Sequence, residues 1–244
     1  MFTTILVQPL FNILLLFYGI IPGHDLGVAV IMLTLVIRLI LWPLVNKQLH
    51  SQRAMQELAP DIAKIRKATK GDKQLESKQL MELYKEKEIS PFAALIPLII
   101  QLPLLFALFF ALKDVLKAGE IAHLSYGPIK HLGGIKEIIA GTTVLKTKSL
   151  GFLNLAKPSI VLAVMAGAAQ FVQTRQLVPK GEAAKDPNAQ ALALSSSIFP
   201  VITFVFALIY PAGLALYWTV TSLVAVLQQH LVLGRDVREM EESK

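Results

Sequence analysis

One basic side chain stands inside an apolar stretch long enough to cross a membrane. Residues 26–37, LGVAVIMLTLVI, carry no charge; Arg38 follows, and the apolar stretch then resumes through Val45. A charged side chain near the centre of a spanning helix costs about 2.5–3.5 kcal/mol on insertion scales, so such residues normally face an opposite charge or water. The other long apolar stretches contain neither Asp nor Glu, so they offer Arg38 no acidic partner.

Two interpretations of Arg38 follow from its position, and the residues alone leave both open. Arg38 precedes the end of the apolar stretch at Val45 by seven residues, which is about 10 Å along a helix. A long guanidinium stem can reach part of that distance toward water. Alternatively, Arg38 faces a water-filled cavity open to the cytoplasm. A lone cation there would attract an acidic ligand, because an opposite charge about 4 Å away gains about 4 kcal/mol at an effective dielectric constant of about 20.

Polar side chains in the other apolar stretches are candidates for lining such a cavity. They are Gln101, Gln170, Gln173, Thr203, Tyr217, Thr219, Thr221 and Ser222. Ser, Thr and Gln also hydrogen-bond neighbouring helices in lipid, and this alternative applies to each of them. Gln101 differs because Pro97 and Pro103 flank it, and a proline inside a helix leaves a carbonyl without its usual donor.

The elements that position these residues are predicted from the apolar blocks. The chain of 244 residues is 54% hydrophobic and 17% charged, and a bilayer core about 30 Å thick requires about 20 apolar residues in a helix. The stretch 187–234 lacks Asp, Glu, Lys and Arg and breaks at YPAG (210–213), where proline removes a backbone donor. The sequence therefore predicts an all-α polytopic membrane protein with five spans: 26–45, 91–112, 158–174, 195–211 and 212–234.

Residues 1–25 begin apolar but lack the features of a cleaved signal. No Lys or Arg stands at the start, and GIIPGHD (19–25) offers no small-residue cleavage site. We therefore expect a retained helix that lies along the interface or leads into the first span; a sixth span would reverse the topology. Cysteine is absent, which excludes disulfides and thiolate chemistry.

The polar segment 46–90 is predicted to form a cytoplasmic helical hairpin. Apolar residues recur at helical spacing between Met55 and Ile65, and TKGD (69–72) supplies a turn. The alternative is a solvated, charged loop with fluctuating helix. A protruding hairpin of mixed charge would offer a contact surface to another macromolecule, which the residues do not identify.

The distribution of basic residues predicts the topology. The segment 46–90, the loop 175–194 and the tail 235–244 hold 16 Lys or Arg together, against 7 in the segment 113–157. Cytoplasmic loops carry the excess of basic residues, so we expect the N-terminus outside, the C-terminus in the cytoplasm and 113–157 as an extracytoplasmic loop. Seven lysines are many for an outer loop, and the sequence assigns this loop no role.

Other classes of function find less support. The five His are scattered without metal-ligand spacing, and SSS (195–197) lacks the glycine-flanked context of a nucleophile, so no catalytic site, metal or cofactor is predicted. A proton-coupled transporter would need intramembrane carboxylates; a small-anion carrier that uses Arg38 stays as the alternative function. The net charge of +7 is carried mostly beside the spans, where it orients the protein or meets anionic headgroups. No direct role with nucleic acid is predicted.

Three stretches of the chain, in this order, resemble one family. They are LTLVIRLILWPLVNKQLHSQRAMQELAPDIAKI (33–65), SPFAALIPLIIQLPLLFALFFAL (90–112) and YPAGLALYWTVTSLVAVLQQHL (210–231). The chain resembles the YidC-type membrane protein insertases, with their mitochondrial and chloroplast relatives, over nearly its whole length. The third stretch is similar to the family's fifth span and includes its PAGLxLYW signature.

The resemblance implies a fold, a site and an activity. It implies a five-helix core around a hydrophilic groove that opens to the cytoplasm and to lipid. By resemblance, Arg38 is the groove arginine, and Gln101 and Trp218 match positions that contact substrate. With the polar candidates, the predicted groove residues are Arg38, Gln101, Gln170, Tyr217, Trp218 and Thr219.

The implied activity is insertion and folding of short membrane proteins, alone or beside the Sec translocon, without a cofactor. The implied partners are nascent membrane-protein substrates and membrane lipid, with the Sec translocon and the ribosome contacted through the 46–90 hairpin. The implied location is a bacterial-type cell membrane.

Overall fold

The computed structural model describes residues 1–69, 71–87, 96–176, 178 and 187–242, and nearly all of its regular structure is helical. The helices are α1 (Gln8–Ile20, preceded by a π-helical turn at Thr3–Val7), α2 (Leu26–Glu57), α3 (Ala59–Ala68), α4 (Lys73–Glu86), α5 (Ile96–Val115), α6 (Ala118–Leu124), α7 (Gly127–Lys130), α8 (Ile135–Ile139), α9 (Ile160–Arg175), α10 (Pro187–Ile209) and α11 (Ala212–Glu242). Two short strands, β1 (Lys148–Ser149) and β2 (Leu153–Asn154), pair antiparallel.

Two helices in these ranges are long and apolar enough to cross a membrane, Thr3–Ile20 and Leu26–Ser51. Ile160–Arg175 and Ser196–Ile209 are apolar but shorter. The count of five spans stays a prediction. Parts of the predicted hairpin, second span, cytoplasmic loop and tail (70, 88–95, 177, 179–186 and 243–244) lie outside the described residues.

The chain divides into two compact units. The first, here called the arginine unit, comprises Met1–Ile40, Ile100–Gln170 and Pro200–Val224. The second, here called the hairpin unit, comprises Leu41–Ile99, Phe171–Phe199 and Ala225–Lys244.

Small residues let helices of the arginine unit approach closely. Its buried side chains include Ala29, Ala107, Ala111, Ala163, Ala166 and Ala215. At Gly167 on α9, an added Cβ would lie 3.1 Å from the Cβ of Phe204 on α10 and 3.4 Å from the carbonyl oxygen of Pro200. Interfaces rich in small residues are typical of helices packed in lipid, where close van der Waals contact and not the hydrophobic effect drives helix association.

The segment 113–157, predicted as a loop, has regular structure in the arginine unit. It forms α6, α7, α8 and the β1–β2 hairpin. Asn12 on α1 ties it down, because its amide donates to the carbonyl oxygen of Leu124 (3.0 Å) and accepts from the N–H of Tyr126 (2.6 Å). Such short elements depend on contacts distant in sequence, which local patterns do not reveal.

In the hairpin unit, α3 and α4 pack as a pair. The packed residues are Leu58, Ile62 and Tyr84, with Leu80 and Leu83 against them. Arg66 near the end of α3 pairs with Glu76 in the first turn of α4 at 3.0 Å, so the two helices run antiparallel. Asp72 caps α4 by accepting from the N–H groups of Gln74 and Leu75. The cytoplasmic location of this pair stays a prediction.

Candidate functional site

Arg38 lies on α2 and is half-buried within the arginine unit. Its Nη2 donates a 2.7 Å hydrogen bond to the backbone carbonyl oxygen of Thr221 on α11. A carbonyl oxygen has two lone pairs, so it can accept this bond in addition to a helical one. In the part of the chain that the structure describes, no Asp or Glu oxygen lies within ion-pair distance of this guanidinium. A backbone dipole thus takes the place of a counter-charge.

A second polar contact joins α5 to α11. The Nε2 of Gln101 donates to the hydroxyl oxygen of Tyr217 at 3.2 Å, and Tyr217 is 1% exposed. Tyr217 and Thr221 are four residues apart and therefore share a face of α11. Arg38 and Gln101 therefore bond to the same face of α11. We call Arg38, Gln101, Tyr217 and the Thr221 carbonyl the arginine cluster.

A third polar contact joins α9 to α11. The hydroxyl of Ser222 donates to Oε1 of Gln170 at 3.1 Å, and Ser222 is fully buried. Successive residues of an α-helix are about 100° apart around its axis, so this contact lies beside the strip of α11 that carries the arginine cluster. Helices α2, α5 and α9 therefore all direct a polar side chain to α11.

Trp218 and Thr219 are placed differently from the arginine cluster. Trp218 is half-buried, and its side chain points about 100° around α11 from that of Tyr217. The hydroxyl of Thr219 is buried and donates to the carbonyl oxygen of Ala215 in its own helix at 2.8 Å. A substrate contact for either residue stays a prediction.

The arginine cluster is chemically suited to binding a negative group. A guanidinium has five N–H donors in a fixed plane, and the bond to Thr221 occupies one nitrogen of Arg38. A carboxylate accepts two such donors side by side. Since a buried charge without a counter-charge is unfavourable, an acidic group that enters would be stabilised. Over the described ranges, no group of three or more His, Cys, Asp or Glu is placed to hold a metal ion.

The backbone carbonyl of Thr221 is the feature of the site that sequence reasoning misses. The hydroxyl of Thr221 makes this residue a polar candidate, yet Arg38 contacts its carbonyl oxygen. Every residue has a carbonyl, so no residue type or spacing signals this acceptor. Ser222 belongs to the same set of polar candidates, and its bond to Gln170 follows the general tendency of polar side chains to join helices in lipid.

The fold and the arginine cluster define a class of protein, namely a helical membrane protein with an arginine side chain between its helices. Comparison with known proteins names the family within that class. The profile of the 60Kd inner membrane protein family matches residues 16–239, and the chain belongs to this family.

Several relatives named membrane protein insertase match most of the chain. The YidC insertase of Clostridium tetani (strain Massachusetts / E88) is 34% identical over 207 residues, which cover 85% of this chain and 81% of that protein. The MisCA insertase of Bacillus subtilis (strain 168) is 30% identical over 224 residues, 90% of this chain and 75% of that protein. The YidC insertase of Lawsonia intracellularis (strain PHE/MN1-00) is 29% identical over 232 residues. These residues cover 95% of this chain but 39% of that longer protein.

Proposed function

We propose that the chain inserts membrane proteins and receives them at the arginine cluster. The observation that carries this proposal is the Arg38 guanidinium, which bonds to a backbone carbonyl inside a helix bundle where the described residues provide no carboxylate partner. Relatives named as membrane protein insertases support the same activity. A segment in transit needs a reversible polar site, which an unpaired guanidinium provides.

The proposed substrate is a short membrane protein with an acidic segment next to an apolar helix. A carboxylate of that segment would bind the free donors of Arg38, while Gln101 and Tyr217 supply further hydrogen-bonding groups. Water in the groove shortens the apolar barrier that the segment crosses. The apolar helix then enters lipid, and burial contributes about 0.8 kcal/mol per CH2 group. The membrane potential contributes about 2.3 kcal/mol per charge per 100 mV toward moving the acidic segment outward, so the cycle requires neither nucleotide nor cofactor.

The proposed arrangement has five spans around a groove open to the cytoplasm and to lipid. We place the N-terminus outside and the C-terminus, the α3–α4 pair and the loop 175–194 in the cytoplasm, since these cytoplasmic segments hold most of the Lys and Arg. Gln170, Trp218 and Thr219 would extend the groove lining along α9 and α11. The α3–α4 pair is the proposed contact for the Sec translocon and the ribosome.

Insertion of a single-span test protein with an acidic N-terminal tail into liposomes tests this function. Wild type, Arg38→Ala and Arg38→Lys are compared by the protection of the tail from added protease. We expect Arg38→Ala to fail and Arg38→Lys to restore part of the insertion, because lysine keeps the charge but lacks the planar fork of donors. Arg175→Ala is the matched control, since Arg175 is an exposed arginine at the end of α9 and should insert like wild type.

Two results would contradict the proposal at different points. If wild type inserts the test protein and Arg38→Ala matches it, Arg38 snorkels and the cluster is not the receiving site. If wild type gives no more protection than empty liposomes, the insertase function itself fails. Saturable flux of a small anion in the same liposomes would then support the carrier alternative.

A further inference from the structure

The β1–β2 hairpin is tied to the first turn of α2. The carboxylate of Asp25, the residue before α2, accepts from the N–H of Leu150 at 2.9 Å. The same carboxylate accepts from the N–H of Gly27 at 2.8 Å and of Val28 at 3.1 Å. Because one side chain caps the helix and holds the hairpin, residue 150 lies at the level where the apolar stretch of α2 begins.

The residues after β2 are tied to the first turn of α11. The carbonyl oxygen of Leu155 accepts from the N–H of Gly213 at 3.1 Å, and that of Lys157 accepts from the N–H of Ala212 at 3.0 Å. Lys157 also lies just before α9, whose first residue, Ile160, is 67% exposed. The hairpin is therefore fixed at the level where three apolar helices begin.

Large apolar side chains are exposed where the hairpin turns. We call residues 150–152 (Leu-Gly-Phe) the tip; Leu150 is 70% exposed and Phe152 is 80% exposed. Val144, shortly before β1, is 83% exposed. Contiguous exposed apolar surface marks a site of interaction with a membrane or another protein. Because the tip lies at the level where three apolar helices begin, a membrane is the favoured partner.

The backbone of the tip adds a second reason to assign its leucine a role. Leu150 has φ 52° and Gly151 has φ 82°. The left-handed conformation is unfavourable for a non-glycine residue, and Gly or Asn is usual in turns that require it. The turn geometry does not favour leucine at this position, so the strain indicates that its apolar side chain has a function.

Lysines flank the tip along the chain. Lys146 and Lys148 precede it, Lys157 follows it, and the whole segment 113–157 holds seven lysines against three acidic residues. Apolar side chains beside basic residues are the pattern of segments that bind the surface of anionic bilayers, where the headgroups attract lysine side chains. This pattern gives a physical reason for an outer loop as basic as this one.

We propose that the tip inserts into the headgroup region of the leaflet on its side of the membrane, with the lysines that flank it binding anionic lipid phosphates. The tip then anchors the segment 113–157 to lipid as well as to α2 and α11. The proposal rests on the membrane spans proposed above and is independent of the insertase activity.

A fluorophore on the tip tests this proposal directly. The chain has no cysteine, so Phe152→Cys gives the full-length protein a single attachment point. The labelled protein is reconstituted in phosphatidylcholine vesicles with and without phosphatidylglycerol, carrying a quencher near the lipid headgroup, and iodide is the aqueous quencher. We expect blue-shifted emission, strong quenching by the lipid quencher and weak quenching by iodide, with a larger blue shift in the anionic vesicles.

Two further variants separate the contributions. Ala140→Cys, exposed in the same segment outside the hairpin, is the reference for a label in water. Lys148→Gln in the Phe152→Cys background should reduce the additional blue shift that phosphatidylglycerol causes. Iodide quenching at 152 equal to that at 140 would overturn the proposal. A label shielded from iodide but unaffected by the lipid quencher would also overturn it, because the tip would then be covered by protein. Equal blue shifts in both vesicles would contradict the proposed role of the lysines.

Discussion

At the arginine cluster, the hydroxyl of Tyr217 is the acceptor that connects two helices. Gln101 on α5 donates to it at 3.2 Å, and Tyr217 is almost fully buried. Removing this hydroxyl takes away the hydrogen bond that joins α5 to α11 at this point. We expect Tyr217→Phe to lower the free energy of unfolding by about 0.6–1.7 kcal/mol, the size of measured interhelical hydrogen bonds.

A double-mutant cycle with Gln101→Leu isolates this contact from other effects of the two changes. Each single variant and the double variant are unfolded by denaturant in detergent micelles, and the coupling energy is the departure from additivity. We expect a coupling energy of about 0.6–1.7 kcal/mol, the size that such cycles give for interhelical hydrogen bonds. Additive changes would mean that the amide and the hydroxyl do not stabilise each other.

Asp25 is the residue at which pH should act outside the membrane. Burial raises the pKa of its carboxyl, but hydrogen bonds from the Ser149 hydroxyl and from the N–H groups of Leu150, Val28 and Gly27 outweigh burial, and the pKa is lowered. A carboxyl with a lowered pKa in the folded state stabilises the fold at pH values above its unfolded pKa, about 3.9. This stabilisation is lost as pH falls from there through the folded pKa.

We therefore expect the tie between the hairpin and α2 to hold at neutral pH and to weaken below about pH 3.9. Hydrogen exchange of the peptide that covers 148–154, corrected for intrinsic rates, measures this protection. Asp25→Ala should exchange fast at neutral pH and lose the acid dependence seen in wild type. Asp114→Asn, which changes an aspartate paired with Lys117 elsewhere in the segment, should behave like wild type. Unchanged protection in Asp25→Ala would show that other contacts hold the hairpin.

The site shows which residue-level predictions sequence alone permits. An arginine in an apolar stretch and polar side chains in other stretches are visible in the sequence, and in the structure Arg38 and Gln101 bond to one face of α11. The acceptor of Arg38 is not visible, because a backbone carbonyl has no residue signature. Thr219 illustrates the opposite case, since a buried hydroxyl that bonds its own helix has the same residue type as one that would face a groove.

At the scale of elements, a glycine sets how closely β1 approaches α2. A Cβ added at Gly27 would overlap the Ser149 hydroxyl oxygen and lie 2.7 Å from the Ser149 Cβ. We expect Gly27→Ala to push β1 away and lower the free energy of unfolding by about 1–3 kcal/mol through overpacking, with faster amide exchange at Leu150. Gly133→Ala is the control, because nothing lies within 4 Å of a Cβ there. Equal stability of the two variants, measured by thermal unfolding in detergent, would refute a close approach of β1.

Sequence patterns differ in how well they indicate these elements. Long apolar blocks indicate α2, α9, α10 and α11, and the break between α10 and α11 falls within YPAG, because this motif interrupts an otherwise continuous apolar run. The helices and strands of 113–157 are short, and their sequence lacks an apolar periodicity. Contacts distant in sequence support them instead, such as the hydrogen bonds between Asn12 on α1 and their backbone groups. The sequence describes this segment as a basic loop and gives no indication of its structure.

At the scale of the whole molecule, the contacts of α1 bear on which side of the membrane the N-terminus lies. Composition and length permit Thr3–Ile20 to span, but they describe a surface helix equally well. The segment 113–157 follows α1 along its length: Asn12 bonds to Leu124 and Tyr126, Tyr18 accepts from the N–H of Lys146, and a Cβ at Gly19 would lie 3.2 Å from Leu132. If α1 crossed the bilayer, each residue would lie about 1.5 Å deeper in the membrane than the residue before it. Most of α1 would then be out of reach of a segment that stays outside the membrane.

We therefore expect α1 to lie along the same membrane face as 113–157, with the N-terminus on that side. Single cysteines at Thr4, Ala140 and Ala68, all exposed, report on α1, the segment 113–157 and the α3–α4 pair when a membrane-impermeant maleimide is added to intact cells. Thr4→Cys and Ala140→Cys should react before permeabilisation and Ala68→Cys only after it. Reaction of Thr4→Cys together with Ala68→Cys would instead make α1 a sixth span. The contacts of α1 with 113–157 would then have to form within the bilayer, where Lys146 would be costly, and this cost is the physical reason to expect the first result.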